Sequence, residues 1–325
     1  VSEYVQTDDT GARHKGENYY TTVICNDFFT AFFTRKHKSR LNFIDLLCGG
    51  KGLEHYFDAY TEIYILDAGL SKEENAFYSS LMGKHFQTTK DLEDFVLSER
   101  GKLPGKQKWT KILEASALSY YLNQSDYKVL ELLISDEARQ FKIPNFVVNA
   151  LCWIHIDRNF KKLTPSVPYH QTLVDEFRND FWNYYDRLKI YKRNPDIDNK
   201  SVLDKDFDEL FNQKTGYDAL DRLLALTKEK KSGMLAVLDY PCIPLHNNTS
   251  EQRIRTPVLK NKISFGTRSD KGLKARDTLM GLMQTCGKLG ISFWDYIKDR
   301  IKKEDNIPRL AELIREKLIP KTEYG

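Results

Sequence analysis

Short β-like runs open the chain and amphipathic helical stretches close it. Residues 3–10 read as a strand, His14-Lys15-Gly16-Glu17-Asn18 carries turn chemistry, and β-rich runs follow at 19–25 and 28–34, joined at Asn26-Asp27. The pattern predicts a three-stranded antiparallel meander. Residues 39–48 set Leu41, Ile44, Asp45 and Cys48 at helical spacing before Gly49-Gly50-Lys51-Gly52 breaks the period. Residues 53–127 mix a β-like run at 63–66 with amphipathic helices and the Gly101–Gly105 loop, and read as an insertion. Two nearly continuous apolar runs, 129–135 and 146–154, bracket a short helix near 137–142, as buried parallel strands do. From Pro168 to about Lys230 the pattern is helical. Leu173, Phe177, Phe181, Tyr184, Tyr185 and Leu188 form a core-facing stripe that Asn194-Pro195-Asp196 ends. Further helices are predicted near 216–230, 273–287, 292–303 and 308–317.

These elements add up to an α/β chain, a mixed α+β sheet flanked by helices. One insertion follows the first helix and a helical one precedes Glu251. The expected divisions are 1–52, 53–127, 128–166, 167–243 and 244–325, the second and fourth being the insertions. The chain of 325 residues is long enough for a main domain with large insertions. Apolar content of 41% with 30% charged residues excludes a disordered chain. No apolar run approaches the roughly 20 residues of a membrane span, and no signal-peptide pattern opens the chain. It starts at Val1 without a methionine, which points to a domain cut from a longer protein. Five cysteines lie scattered without a C-x-x-C pair, the usage of reduced, mostly buried thiols in a cytosolic protein; a zinc site is not expected.

The net charge of +4 says little by itself, but its distribution says more. Between Arg253 and Arg276 stand eight basic residues against one acid, Asp270. Such an excess suits a polyanion, although a solvated basic face has the same composition. What distinguishes this run is the segment before it, Asn247-Asn248-Thr249-Ser250-Glu251, with a carboxylate at an apparent helix start. Two upstream segments also end in an acid, at Asp8 and at Asp136. Phosphodiester cleavage by two divalent ions needs carboxylates that converge from different elements, and Mg²⁺ or Mn²⁺ prefers such oxygen donors. The order strand-Asp, strand-Asp, helix-Glu meets that need in a ribonuclease-H-like fold. Each acid also has a structural reading. Asp8 and Asp9 suit the start of a turn at Thr10-Gly11, and Asp136 suits an N-cap. Glu251 suits a capping box with Asn248, or an ion pair with Arg255. The joint order of the three favours chemistry.

Asp8-Asp9-Thr10-Gly11 resembles the D-[DE]-T-G segment of transposases of the insertion-sequence-66 family. Ser135-Asp136, followed by Cys152-Trp153-Ile154-His155-Ile156-Asp157-Arg158-Asn159-Phe160, is similar to that family's S-D and C-W-x-H-x-x-R-x-F blocks. Residues 246–255 resemble its N-N-x-x-E-R-x-[IL]-R block, and residues 260–272 continue the likeness. The resemblance covers about residues 3–47, 129–165 and 244–303. It implies a ribonuclease-H-like DDE fold in which Asp8, Asp136 and Glu251 hold two Mg²⁺ (or Mn²⁺) ions. It also implies strand cleavage and strand transfer on double-stranded DNA at transposon ends and target. A homo-oligomer in a synaptic complex, and a bacterial cytoplasmic site at the nucleoid, are expected with it. Asp8 is preferred over Asp9 because the family accepts either acid at the second position. Asp67, which also ends an apolar run, is a rival to Asp136 but lacks the Cys152–His155 block at the right distance. Residues 53–127 have no counterpart in the family pattern, Gln252 stands where an arginine is usual, and the N-terminal DNA-recognition region is missing.

The residues expected to face DNA are Arg253, Arg255, Lys260, Lys262, Arg268, Asn247, Asn248, His155 and Arg158. The basic side chains suit sequence-independent phosphate contacts. The asparagines suit either phosphate contact or positioning of the Glu251 helix. His155, placed at a strand end, suits a DNA contact, orientation of a ligand, or a satisfied buried role. Trp182 offers a stacking surface but fits core packing better. Two other activities share this pattern: a nuclease or resolvase that cuts without joining, and a DNA-binding protein that keeps the fold without chemistry. A scaffold built on 53–127 is a third reading.

Overall fold

The computed structural model describes residues 4–126, 128–143 and 147–318. Phe146, at the head of the second apolar run, and the side chain of Asp67 lie outside that description. The described chain divides into two compact units. One holds the residues up to Thr34, Leu130–Ala138 and everything from Lys142; the other holds Arg35–Val129 and Arg139–Phe141.

The first unit is built on a five-stranded sheet of order β3-β2-β1-β6-β7, with β1 at Tyr4–His14, β2 at Glu17–Cys25, β3 at Thr30–Arg35, β6 at Leu132–Ser135 and β7 at Val148–Leu151. Lys15 and Gly16, both at positive φ, make the two-residue turn that pairs β1 with β2 antiparallel, from Gln6 opposite Cys25 to His14 opposite Glu17. The connection from Cys25 to Thr30 is too short for anything but an antiparallel neighbour. β1 pairs with β6, and β6 with β7, in parallel. Leu132, Leu133 and Ile134 are buried in succession, as a strand covered on both faces requires. The sheet is therefore mixed, a meander on one side and parallel strands on the other.

Several boundaries differ from the sequence expectation. β1 does not end at Asp8 but runs six residues further, because its pairing with β2 continues after its pairing with β6 stops at Gln6. The helix expected near 137–142 is a single 3-10 turn, Arg139–Phe141. The second apolar run supplies a strand only at Val148–Leu151; helix α6, Trp153–Lys161, begins at once. His155 is thus in the first turn of a helix, not at a strand end. Trp153 drives that change. Its ring is wholly buried among Phe181, Tyr184 and Phe207, its backbone N–H donates to the Leu245 carbonyl, and its indole N–H to the Met234 carbonyl.

The helical segment before Glu251 comprises α7 (Pro168–Arg193), α8 (Ile197–Phe211), α9 (Asp218–Lys228) and the short α10 (Lys231–Met234) and α11 (Ala236–Asp239). Of the predicted stripe, Phe177, Phe181, Tyr184, Tyr185 and Leu188 are buried in the main core beside Leu132, Ile134 and Phe160, and Leu173, partly buried, packs against it. Each such side chain contributes about 1.5–3 kcal/mol of burial. Trp182 packs against this core, edge-on to Tyr185. α12 (Asn248–Ser264) follows, then α13 (Asp270–Leu289), α14 (Phe293–Lys302) and α15 (Leu310–Leu318). Ile254 of α12 and Met280 of α13 pack on Val23 and Cys25 of β2 and Phe32 of β3. The buried Asp277 carboxylate accepts from the Thr34 N–H at 2.7 Å and its hydroxyl at 3.1 Å, tying α13 to β3.

The second unit holds α1 (Arg40–Leu47), α2 (Ala59–Ile65), α3 (Lys72–Ser79), α4 (Thr89–Arg100), α5 (Lys106–Asn123) and the antiparallel pair β4 (His55–Tyr56) and β5 (His85–Phe86). The run at 63–66, expected as β-like, lies in and just after helix α2, because Asp58 and Thr61 close a capping box at its start. Phe57, Tyr78, Leu92, Val96 and Ile112 form this unit's core. Among the described residues no helix is long and apolar enough to cross a membrane.

Candidate active site

Strand register places the first two acids. In the β1–β6 ladder Gln6 lies beside Ile134. Two residues on, Asp8 continues along β1, while Asp136 is the first residue after the end of β6. Alternation along β1 decides which acid of the pair Asp8-Asp9 faces inward. Asp8 lies opposite Val23, and Val23 packs against Ile254 of α12, the helix that carries Glu251. Asp9 points to the other face of the sheet. At the start of α12 the Ser250 hydroxyl donates to the Thr7 carbonyl at 3.5 Å, so this helix begins directly over β1.

The electrostatics agree with that geometry. Burial pushes the Asp8 carboxyl up to about 7, against the pull of the Asp9 N–H, and the negative charges of Asp136, Asp9 and Glu251 add to the rise. The Asp9 N–H donates to the Asp8 carboxylate at 2.8 Å. Asp136 accepts from the Ala138 N–H at 2.9 Å, a turn-type bond that leaves its other oxygen uncommitted by that contact.

Glu251 does not close a capping box with Asn248, and no ion pair joins it to Arg255 among the described residues. Asn247 is the N-cap of α12, and its side chain makes no capping bond. The Glu251 carboxylate is instead gripped by Arg158, at 3.3 and 3.2 Å, and His155 Nε2, 3.4 Å from the carboxylate, accepts from the same guanidinium at 2.9 Å. Both partners stand on α6 one turn apart, at the spacing that puts two side chains on one helix face. Burial lowers the His155 pKa first, with the Arg158 charge acting the same way, while Glu251 and Asp136 oppose them.

Behind this cluster Asn247 is fully buried, its side chain beside the His155 ring. Asn247, expected at the DNA, therefore cannot reach a phosphate unless the helix start opens, so its reading as a contact is corrected to a position behind the site. Asn248 is half-buried at the first position of α12. Cys152, absent from the sequence-predicted site, adds its sulfur: it accepts from the Asn247 N–H at 3.4 Å, and its ligand atom lies within 4.8 Å of those of His155 and Glu251. Burial pushes its thiol up. The signals for it were its place at the head of the C-W-x-H block and the three-residue step to His155, which sets it at the N-cap of the helix that carries His155.

The basic residues divide by exposure. Arg255, Lys260, Lys262 and Arg268 are exposed and, like Lys271 and Lys274, make no ion pair among the described residues. Arg253 is half-buried and acts on the Cys25 thiol of β2, so its side chain turns toward the sheet. The single acid of the run, Asp270, is engaged by Lys15 at 2.7 Å and His14 at 2.9 Å. Arg158 is about half exposed beside Glu251.

A mixed α/β unit whose sheet centre and covering helix gather acids beside a basic helical surface is the class of protein that the fold and site define. Comparison with known proteins names the family. Residues 114–275 match the Transposase IS66 family. Over 322 residues, 97% of each chain, the sequence is 35% identical to a protein of Sinorhizobium fredii (strain NBRC 101917 / NGR234) described as uncharacterized protein y4jO. No solved structure matches. The chain belongs to the IS66 family of transposases.

Proposed function

We propose that this chain is the catalytic domain of a DDE-type DNA transposase with a ribonuclease-H-like core, cutting and joining DNA at transposon ends with Mg²⁺ or Mn²⁺. The observation that carries the reading is that Asp8 stands on the face of β1 covered by α12, the helix of Glu251, while Asp136 directly follows the neighbouring strand β6. The donor chemistry fits the ions. Three carboxylates come from separate elements, and burial with the like charges of Asp136, Asp9 and Glu251 holds the Asp8 carboxyl high, a cost that a divalent cation relieves. Asp8, Asp136 and Glu251 would hold the ions. When bound, such ions activate the attacking oxygen and neutralise charge on the leaving one.

The other residues have roles of their own. Arg158 balances the Glu251 charge in the ion-free protein, and once released it offers a guanidinium to a phosphate beside the acids. His155 Nε2 accepts from the Arg158 guanidinium at 2.9 Å and so orients the group that grips Glu251. Arg255, Lys260, Lys262 and Arg268 would draw the DNA backbone along α12 and the turn after it. Double-stranded DNA is the partner, and a homo-oligomer the working form.

The test is a strand-transfer assay with Mg²⁺ and labelled DNA carrying the ends that flank the gene. Glu251→Gln should lower joined product by about a thousandfold or more, while DNA affinity stays within about twofold. Undiminished joining by that variant, or by Asp8→Asn, would sink the reading.

A further inference from the structure

Helix α12 ends on a residue that its surroundings do not explain. Phe265 is its C-cap, at φ 55°, in the left-handed region where a bulky side chain is a true outlier and glycine is usual. A strained aromatic normally repays its strain by packing, yet Phe265 is 86% exposed. Just before it on the same helix, Ile263 and Leu259, one turn apart, are also exposed, at 80% and 58%.

The turn that presents Phe265 is clamped. The Thr267 N–H donates to the Arg13 carbonyl at 3.0 Å and the Lys15 N–H to the Thr267 carbonyl at 2.7 Å. The Thr267 hydroxyl and the Asp270 carboxylate take the two ring nitrogens of the buried His14. Gly266, at φ 106°, sits so close that a Cβ would lie 2.3 Å from the Arg13 carbonyl oxygen. An exposed aromatic is therefore held out by a rigid support. Lys260 and Lys262 precede it on α12 and Arg268 follows it, all three exposed and without ion pairs among the described residues.

We propose that Phe265 is a base-stacking wedge: it inserts against an unpaired or unstacked nucleotide of the DNA that these basic residues hold. An exposed aromatic in a segment of unneutralised cations is complementary to nucleic acid, which offers π-faces within a polyanionic backbone, and less so to another apolar protein surface. Glu251 and Phe265 are fourteen residues apart on one helix, roughly 20 Å. A strand laid along α12 would place the wedge about six nucleotides from the acids. The proposal rests on the DNA-acting reading above, and it adds the position and the kind of base that is gripped.

The experiment compares the full chain with its Phe265→Ala and Phe265→Trp variants on two probes of equal length, a fully paired duplex and one with a six-nucleotide single-stranded fork. Anisotropy gives the affinities, and gel filtration gives the oligomeric state. The inference expects Phe265→Ala to lose about tenfold or more on the fork and less than twofold on the duplex, with Phe265→Trp retaining both. Equal affinities for wild type and Phe265→Ala on the fork, or equal losses on both probes, overturn it. So does a change of oligomeric state in Phe265→Ala with DNA affinity intact, which would make the patch a contact between copies of this chain. Failure of the wild type to bind either DNA would instead overturn the DNA-acting reading itself. Because the side chain touches no core, the variants keep the fold, and their melting curves serve as the control.

Discussion

At the scale of single residues, burial decides which charges this protein tolerates. Glu251 sits beside Arg158, and the pair is near enough to solvent that neither charge is stranded. His55, in the second unit, has no such charge partner. It is fully buried, its two ring nitrogens meet the hydroxyls of Ser116 and Thr89, and burial lowers its pKa to about 4. The unfolded chain binds the proton near pH 6.5 while the folded chain refuses it until about 4. Stability is therefore held above the higher value and lost as pH falls through the interval. Urea titrations should show a loss on the order of 3 kcal/mol from this group between those limits. His55→Gln, which keeps a hydrogen-bonding side chain without the titration, should flatten that part of the profile; an unchanged slope would contradict the assignment.

At the scale of elements, the site depends on how strand ends and helix starts are fastened. β6 and β7 deliver their last ladder bond through the Cys152 N–H to the Ser135 carbonyl, and α6 starts at the next residue. The Trp153 N–H reaches the Leu245 carbonyl, so the starts of α6 and α12 are held to each other, and with them the Arg158–Glu251 contact. The far end of α12 is fastened by the Gly266 turn on β1. Gly266→Ala must either push its Cβ into the Arg13 carbonyl or break two backbone hydrogen bonds, on top of a positive φ. A loss of about 2 kcal/mol or more in unfolding free energy is expected, read by denaturant melts. Gly287→Ala, in a helix and with open space around it, should cost nothing comparable.

At the scale of the whole molecule, the modest net charge of +4 hides a surface of unpaired cations along α12 and the start of α13. DNA binding through that surface releases counterions, so affinity should fall linearly on a log–log plot against salt. Replacing Lys260 and Lys262 by glutamine removes two phosphate contacts. The slope should drop by about 1.8, whatever the DNA sequence. Binding isotherms at four salt concentrations suffice, and an unaltered slope would move the DNA path elsewhere.

Local pattern was enough for the meander, for the helical stripe from Phe177 to Leu188 and for the family, because periodic burial and short blocks such as residues 246–255 are written in adjacent residues. It failed at 63–66 and at His155. There a capping box and the burial of Trp153 overrode the apolar runs, and both involve partners that a window of sequence does not contain. The acids Asp8, Asp136 and Glu251 were legible as types in an order. Which face each occupies was not: Asp8 separates from Asp9 only because Val23, across the ladder, packs under α12. Cys152, the buried Asn247 and the hold of Arg158 on Glu251 likewise arise from elements far apart in the chain. Composition and spacing determine which side chains this protein offers; only the meeting of strands and helices decides which of them become neighbours, because proximity in space is set by packing.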